Sequence, residues 1–184
     1  MKIYLFVSLY AVSALLFFNI IPGKNADNTV TKISFAVKNH KIIEDFASLE
    51  ESWKGNLTYL DYESGKPYTM LADVEIRRID HTNKFLLINT YPKERSANSK
   101  DTISISEDEQ SINDEKVISR TEIPENKVQI ITEKMGNDGN DKKDAVIRKT
   151  YTIGTSFFSI QKDVRFTEGD QWIKRHEYIY FKNK

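Results

Sequence analysis

The sequence predicts an all-β protein, an antiparallel up-and-down β-barrel of about 8–10 strands with one short N-terminal helix. Residues 53–70 alternate in polarity on both sides of an SGKP turn at 64–67, which is typical of a β-hairpin. About ten strand-like segments follow one another at spacings near a dozen residues. A sandwich would also fit these segments. Long consecutive hairpins favour the barrel, because closure removes exposed strand edges.

The first 24 residues are expected to direct export. Lys2 precedes an apolar run at residues 3–21, and Pro22-Gly23 ends it, as in a secretory signal peptide. The run also has the length of an uncleaved membrane anchor, which needs roughly 20 apolar residues. We therefore expect a signal peptide or N-terminal membrane anchor at 1–24 and a β-barrel domain at 25–184. The protein is expected to be exported, and to be periplasmic, secreted or on the outer surface.

Composition excludes several classes of function. The chain has no cysteine, so it is not a Cys-anchored lipoprotein and holds no disulfide, thiolate metal site or Cys nucleophile. Its 27 basic and 27 acidic residues balance, so the sequence lacks the excess of positive charge that is typical of nucleic-acid-binding proteins. A membrane partner is expected only if the N-terminal segment is uncleaved. The composition leaves the oligomeric state open.

The first elements after residue 24 are a candidate short strand at 32–38 and a helix within 41–52. Ile42, Phe46 and Leu49 have the spacing of a helix face, and the expected role of this helix is to cover one end of the barrel. The hairpin follows, and Gly65 supplies the positive φ that its tight turn needs. Because successive strand residues point to opposite faces, one parity is expected to face inward. Its members are Trp53, Gly55, Leu57, Tyr59, Asp61, Tyr68, Met70, Ala72, Val74 and Ile76.

The rest of the chain reads as strands separated by polar turns. The expected strands are residues 67–79, 85–91, 102–106, 112–118, 120–123, 127–134, 145–153, 156–166 and 171–181. The most polar loop is predicted at 136–144 (GNDGNDKKD). Its side-chain oxygens would suit calcium, but the loop lacks EF-hand spacing and carries two lysines, so we expect a solvated hairpin loop.

A barrel interior is the expected place for function, because binding pockets are largely apolar with a few placed polar groups. Parity puts six candidate ligand contacts on inner rows: Tyr59, Tyr68, Arg78, Tyr91, His176 and Tyr178. Ordinary packing is the alternative for each of them. A single bulge would reverse parity beyond it, so Arg77, Arg148, Lys162 and Arg175 are also candidates. Basic residues in the interior would favour an acidic ligand such as a carboxylate.

No catalytic or metal-binding signature is present in the sequence. Ser, His and Asp occur in no recognised catalytic context, and His40 and His81 have no partner at metal-ligand spacing. We therefore expect a protein that is not an enzyme and that has no metal site and no required cofactor.

A short helix, the Trp53-x-Gly55 motif, a β-meander and a basic, aromatic last strand together resemble the calycin superfamily. This superfamily comprises lipocalins, fatty-acid-binding proteins and nitrobindin-like barrels, and the resemblance covers residues 41–184. It is nearest to secreted bacterial lipocalin-like domains. The resemblance implies that Trp53 packs at the barrel floor against Arg175 or Lys174. On a nitrobindin-like interpretation, His176 would hydrogen-bond a ligand or reach a haem iron.

The function that the resemblance implies is binding of a small hydrophobic or amphipathic ligand inside the barrel. The alternative is a structural or protein-interaction module whose interior is filled by its own aromatic side chains. Nine tyrosines and ten phenylalanines fit either hypothesis, because the same rings line a cavity or fill it.

Overall fold

The computed structural model describes residues 42–61 and 64–182. Within them lie one short α-helix and eleven strand segments. The bounds are α1 (Ile42–Ala47), β1 (Ser52–Leu60), β2 (Pro67–Leu71), β3 (Asp73–Arg78), β4 (Lys84–Thr90), β5 (Ser99–Ser104), β6 (Ser111–Ile112), β7 (Glu115–Ile123), β8 (Lys127–Asp138), β9 (Lys143–Ile153), β10 (Phe157–Phe166) and β11 (Ile173–Lys182), with a 3-10 turn at Arg95–Ala97. The predicted leader and the candidate strand at 32–38 lie outside the described residues. None of the described helices is long and apolar enough to span a membrane.

The strands form one antiparallel sheet that closes almost completely into an up-and-down barrel. Strands that neighbour in sequence pair with each other, and β11 pairs back onto β1. Both β2 and β3 pair with β1 and are interrupted only at Ala72, so they are two halves of one strand and the barrel has ten. The two ends of the sheet, β5 and β6, meet through a single bridge between Ile105 and Ile112. The predicted barrel class is confirmed.

The region that the sequence predicts as strands 112–118 and 120–123 is divided differently. The break falls at Asn113-Asp114, where both residues have positive φ (49° and 62°), and β7 then runs without interruption from Glu115 to Ile123. Positive φ at both central residues is the geometry of a two-residue hairpin turn, and Asn and Asp tolerate it. The pair Asn113-Asp114 was therefore the signal for the true boundary.

The predicted loop at 136–144 is mostly strand. β8 continues to Asp138 and β9 begins at Lys143, so only residues 139–142 form the turn, with Gly139 at φ 79°. Pairing of Gly136 with Ala145 and of Asp138 with Lys143 satisfies the backbone there. A polar sequence forms strand here because the hairpin projects at the rim, where its outer face meets water.

Helix α1 covers one end of the barrel, here called the closed end. Phe46 lies 6.0 Å from the Phe85 ring on β4 and 5.3 Å from the Tyr151 ring on β9, so it touches opposite walls. The Glu109 carboxylate accepts hydrogen bonds from the backbone N–H groups of Ile42 and Ile43 (2.9 and 3.2 Å). These are donors that the first turn of a helix leaves unsatisfied. The expected role of the helix is confirmed.

Trp53 forms part of the floor at the closed end. It is 1% exposed, and its indole Nε1 donates to the Leu49 carbonyl at 2.9 Å. The expectation that Arg175 or Lys174 packs against it is wrong. Its partner is Lys182, which pairs with it in register and lies 5.5 Å from the ring. Because β11 runs antiparallel to β1, only the C-terminal end of the last strand meets the start of β1.

Candidate functional site

A row of four polar side chains crosses four neighbouring strands in register. Tyr59 on β1 pairs with His176 on β11, His176 with Lys162 on β10, and Lys162 with Lys149 on β9. Cross-strand partners point to the same face of a sheet. On β9, Tyr151 lies two residues beyond Lys149 and is buried in the interior. Residues two apart on a strand point to the same face, so Lys149 and its three partners face into the barrel. We call these four side chains the polar row.

The two lysines of the polar row stand directly opposite each other, an arrangement that is destabilising unless each charge is compensated. Glu115 compensates Lys149: its carboxylate is 0% exposed and lies 2.8 Å from Lys149 Nζ and 3.3 Å from Lys134 Nζ. Thr132 donates its hydroxyl to the other carboxylate oxygen at 2.7 Å. A fully buried carboxylate is thus held by two cations and a hydroxyl.

Asp138 compensates Lys162 at the far end of the barrel, the end opposite α1. Its carboxylate accepts from Lys162 Nζ at 2.8 Å and from Arg175 Nε at 2.6 Å. Burial opposes the ionised carboxylate, but the bonds and charges of Lys162 and Arg175 outweigh it and hold the pKa of Asp138 below its ordinary value. The carboxylate therefore stays charged and ties β8 to β10 and β11.

His176 lies in this cationic surrounding and stays neutral. Burial, reinforced by the charges of Lys162 and Lys149 and opposed by that of Asp138, lowers the pKa of His176 to about 4. The centres of the His176 and Tyr178 rings are 5.7 Å apart, and the two rings are nearly perpendicular. A neutral imidazole offers one N–H donor and one lone pair. Among the described residues, no group of three His, Asp or Glu side chains is arranged to hold a metal ion.

The depressed pKa of His176 predicts a pH dependence of stability. The unfolded chain binds a proton near the ordinary value of 6.5, whereas the folded protein resists it down to about 4. Stability is therefore fully present above 6.5 and falls by about 2–3 kcal/mol as pH drops through that window. We expect His176→Phe to flatten the curve of unfolding free energy between pH 6.5 and 4.5, measured by urea unfolding. His81→Asn, in an exposed turn, is the control; an unchanged slope in His176→Phe would contradict the assignment.

Two tyrosines lie between the polar row and the closed end. The hydroxyl groups of Tyr91 on β4 and Tyr178 on β11 are hydrogen-bonded at 2.9 Å. Burial and this bond raise the pKa of Tyr178. Tyr178 stacks on Tyr180 at 5.8 Å, and Tyr180 stacks on Phe158 at 5.7 Å. An aromatic ladder therefore connects the polar row to the closed-end core.

Five of the six predicted contacts are connected to one another by pairing, ring contacts or a hydrogen bond. Tyr59 and Tyr68 are paired in register with rings 5.5 Å apart, although Tyr68 is 49% exposed at the rim. His176, Tyr178 and Tyr91 follow through the contacts above. Arg78 is not brought to them: it lies at the closed end, where its Nε donates to the Thr82 carbonyl at 2.7 Å.

A bulge decides which basic residues face inward. The pairing of β10 with β11 shifts by one residue beyond Lys162 and His176, which turns Arg175 into the protein and Lys174 outward, with side chains 10% and 49% exposed. Arg148 lies on the outer face, where it stacks on Trp172 at 3.9 Å. Of the four basic residues that were candidates in case of a bulge, Lys162 and Arg175 do face inward. Lys149 was not predicted, and buried Glu115 had no sequence signal.

A cavity of about 540 Å³, the rim cavity, opens at the far end between the β8–β9 and β10–β11 hairpins. Its lining residues are Asp138, Gly139, Asn140, Asp141, Lys143, Phe166, Glu168, Gly169 and Arg175. The buried pair Asp138 and Arg175 links this cavity to Lys162 and hence to the polar row.

Comparisons with known proteins add a likeness of fold. No protein-family model and no curated protein matches the chain. Among solved structures, the chain is similar to that titled "Crystal Structure of Rv2717c from M. tuberculosis", with 11% sequence identity and a TM-score of 0.46. The similarity covers 77% of this chain and 97% of that chain. The barrel architecture itself follows from the strand pairings of this chain.

Proposed function

We propose that this protein is an exported, lipocalin-like binding protein, not an enzyme, that holds a small, partly apolar ligand in its barrel interior. The observation that carries the proposal is the inward-facing polar row, in which neutral His176 lies beside Lys162 and Lys149. Buried charges contribute little net stability compared with apolar packing. A row of them inside a barrel is therefore better explained by recognition of a ligand.

The surroundings of the polar row suit an amphipathic ligand. One step toward the closed end, the inward side chains are Tyr178, Ile160 and Tyr151. One step toward the far end they are Val164 and Ile147. Apolar surface on both sides with a few polar groups between is the usual composition of a ligand pocket. The ligand's apolar part would contact these rings and aliphatic chains.

The charge of the network supports an acidic group on the ligand. Four cations take part in its ion pairs, and two carboxylates compensate them; the participants are Lys134, Lys149, Lys162, Arg175, Glu115 and Asp138. A ligand carboxylate would reduce this surplus of positive charge and accept charge-assisted hydrogen bonds from the lysines. His176 would donate its N–H to the same group.

Fatty-acid binding tests the proposal. We expect laurate to raise the melting temperature of the wild-type protein at pH 7 and to bind Lys162→Met at least about tenfold more weakly, because a charge-assisted hydrogen bond contributes roughly 1.5–3 kcal/mol. Calorimetric titration measures the difference. Lys174→Met is the matched control, since Lys174 lies outward and pairs with Glu177.

Failure of laurate, haem and bile-acid-like compounds alike to stabilise the wild-type protein would contradict the proposal. The alternative, a barrel filled by its own side chains, would then be favoured, since Lys149 and Lys162 each already have a carboxylate partner.

A further inference from the structure

We propose that the rim cavity binds a saccharide, an uncharged polyhydroxylated ligand, at a site separate from the barrel interior. Its volume of about 540 Å³ lies within the range of small-molecule sites. It is lined by the turns of two hairpins and by the buried base of the strands that carry them. The proposal does not depend on whether the interior holds a ligand.

The rim cavity is lined by charges of both signs in nearly equal number. Asp138, Asp141 and Glu168 are balanced by Lys143 and Arg175 in the lining and by Lys162, which is bonded to Asp138 from behind. An ion of either sign would meet like charges as well as opposite ones. A hydroxyl group is both a donor and an acceptor, so each hydroxyl of a sugar finds a partner among carboxylates and cations alike.

The side chains at the floor of the rim cavity are buried and held in place by one another. The Asp138 and Arg175 side chains are 4% and 10% exposed and hold each other at 2.6 Å. Arg175 also lies 5.6 Å from the centre of the Phe166 ring, which lines the same cavity. Two planar charged groups beside an aromatic ring match the two kinds of surface on a pyranose, its hydroxyl edge and its C–H face.

The mouth of the rim cavity adds adaptable groups. Asn140, Asp141 and Glu168 are exposed side chains on the two hairpin turns, and Lys143 is exposed at the start of β9. Gly139 and Gly169 present backbone without side chains, and a Cβ added at Gly169 would meet nothing within 4 Å. A ligand therefore has room to approach the backbone between the turns.

Titration followed by ¹H–¹⁵N NMR of the full chain tests the proposal. The probes are glucose, galactose, mannose, xylose and N-acetylglucosamine, with glucuronate and glucosamine as charged competitors. We expect at least one neutral sugar to shift the amide signals of Gly139, Asn140 and Gly169 in a saturable manner. We expect the corresponding charged probes to bind at least about fivefold more weakly, the effect of roughly 1 kcal/mol.

Variants separate this site from the interior. The double variant Asp141→Asn with Glu168→Gln is expected to bind the sugar at least about fivefold more weakly, a loss of roughly 1 kcal/mol. Glu125→Gln, an exposed carboxylate outside the cavity lining, is expected to leave it unchanged. The proposal is overturned if no neutral sugar shifts these amides, if a charged probe binds as well or better, or if the double variant binds sugar unchanged. Laurate binding at the polar row would neither be required nor be altered by the double variant.

Discussion

Glu115→Gln is expected to lower the free energy of unfolding by about 3 kcal/mol, near the low end of the range for removing one partner of a buried ion pair. The substitution keeps the shape and the bond from Thr132 but leaves Lys149 and Lys134 without their shared carboxylate. We take the low end because the Lys149 side chain is 25% exposed and water relieves part of the repulsion. Urea unfolding at pH 7 measures the change.

Two further variants show whether charge is the cause. Glu115→Gln combined with Lys149→Met is expected to recover much of the loss, because it removes the uncompensated cation as well. Glu125→Gln breaks the surface pair with Lys127, in which Glu125 is 74% exposed, and is expected to leave stability essentially unchanged. A double variant no more stable than Glu115→Gln would show that packing, not charge, sets the cost.

Gly55→Ala is expected to destabilise the barrel by about 3 kcal/mol or to prevent folding, at or beyond the upper end of typical overpacking costs. A methyl group at this position would overlap the Ile179 carbonyl oxygen and come within 2.6 Å of Tyr180 Cδ1. The obstacle is the backbone of β11, at the seam where the last strand pairs with the first. Removing this overlap would require the β1–β11 pair to separate. Urea unfolding followed by circular dichroism measures the resulting loss of stability.

Gly169→Ala is the matched control for the seam. No atom lies within 4 Å of the added Cβ, so the same chemical change meets open space. We expect stability to be unchanged or slightly raised, by up to about 1 kcal/mol, because alanine restricts the unfolded chain. If both variants unfolded at the same urea concentration, close approach at Gly55 would not be the reason for glycine there.

Local patterns predicted the barrel because they are properties of single strands. Parity around Trp53 and Gly55 identified the inner face, and the spacing of Ile42, Phe46 and Leu49 identified the helix that covers the closed end. The errors fall where local signals are ambiguous. The turn signal at Asn113-Asp114 lies among apolar residues that are typical of strands. The stretch at 136–144 is polar, as in a loop, but most of it is paired as strand.

The site was predictable only in part, because it depends on alignment between strands. His176, Lys162 and Lys149 become neighbours through two registers that no single strand encodes. The bulge opposite Lys162 then reverses the parity of the residues before His176, so Arg175 faces inward in place of Lys174. Glu115 pairs with buried Ile112 and therefore shares its inward face, which is again a property of the register and not of one strand.

The most direct measurement of the central claim is native mass spectrometry of the protein purified gently from its natural source, compared with its mass after denaturation. We predict excess mass that disappears on denaturation and belongs to a small amphipathic molecule, and we predict that Lys162→Met carries less of it. Identical native and denatured masses, together with no thermal shift from the ligand panel, would contradict the claim that the polar row exists to bind a ligand.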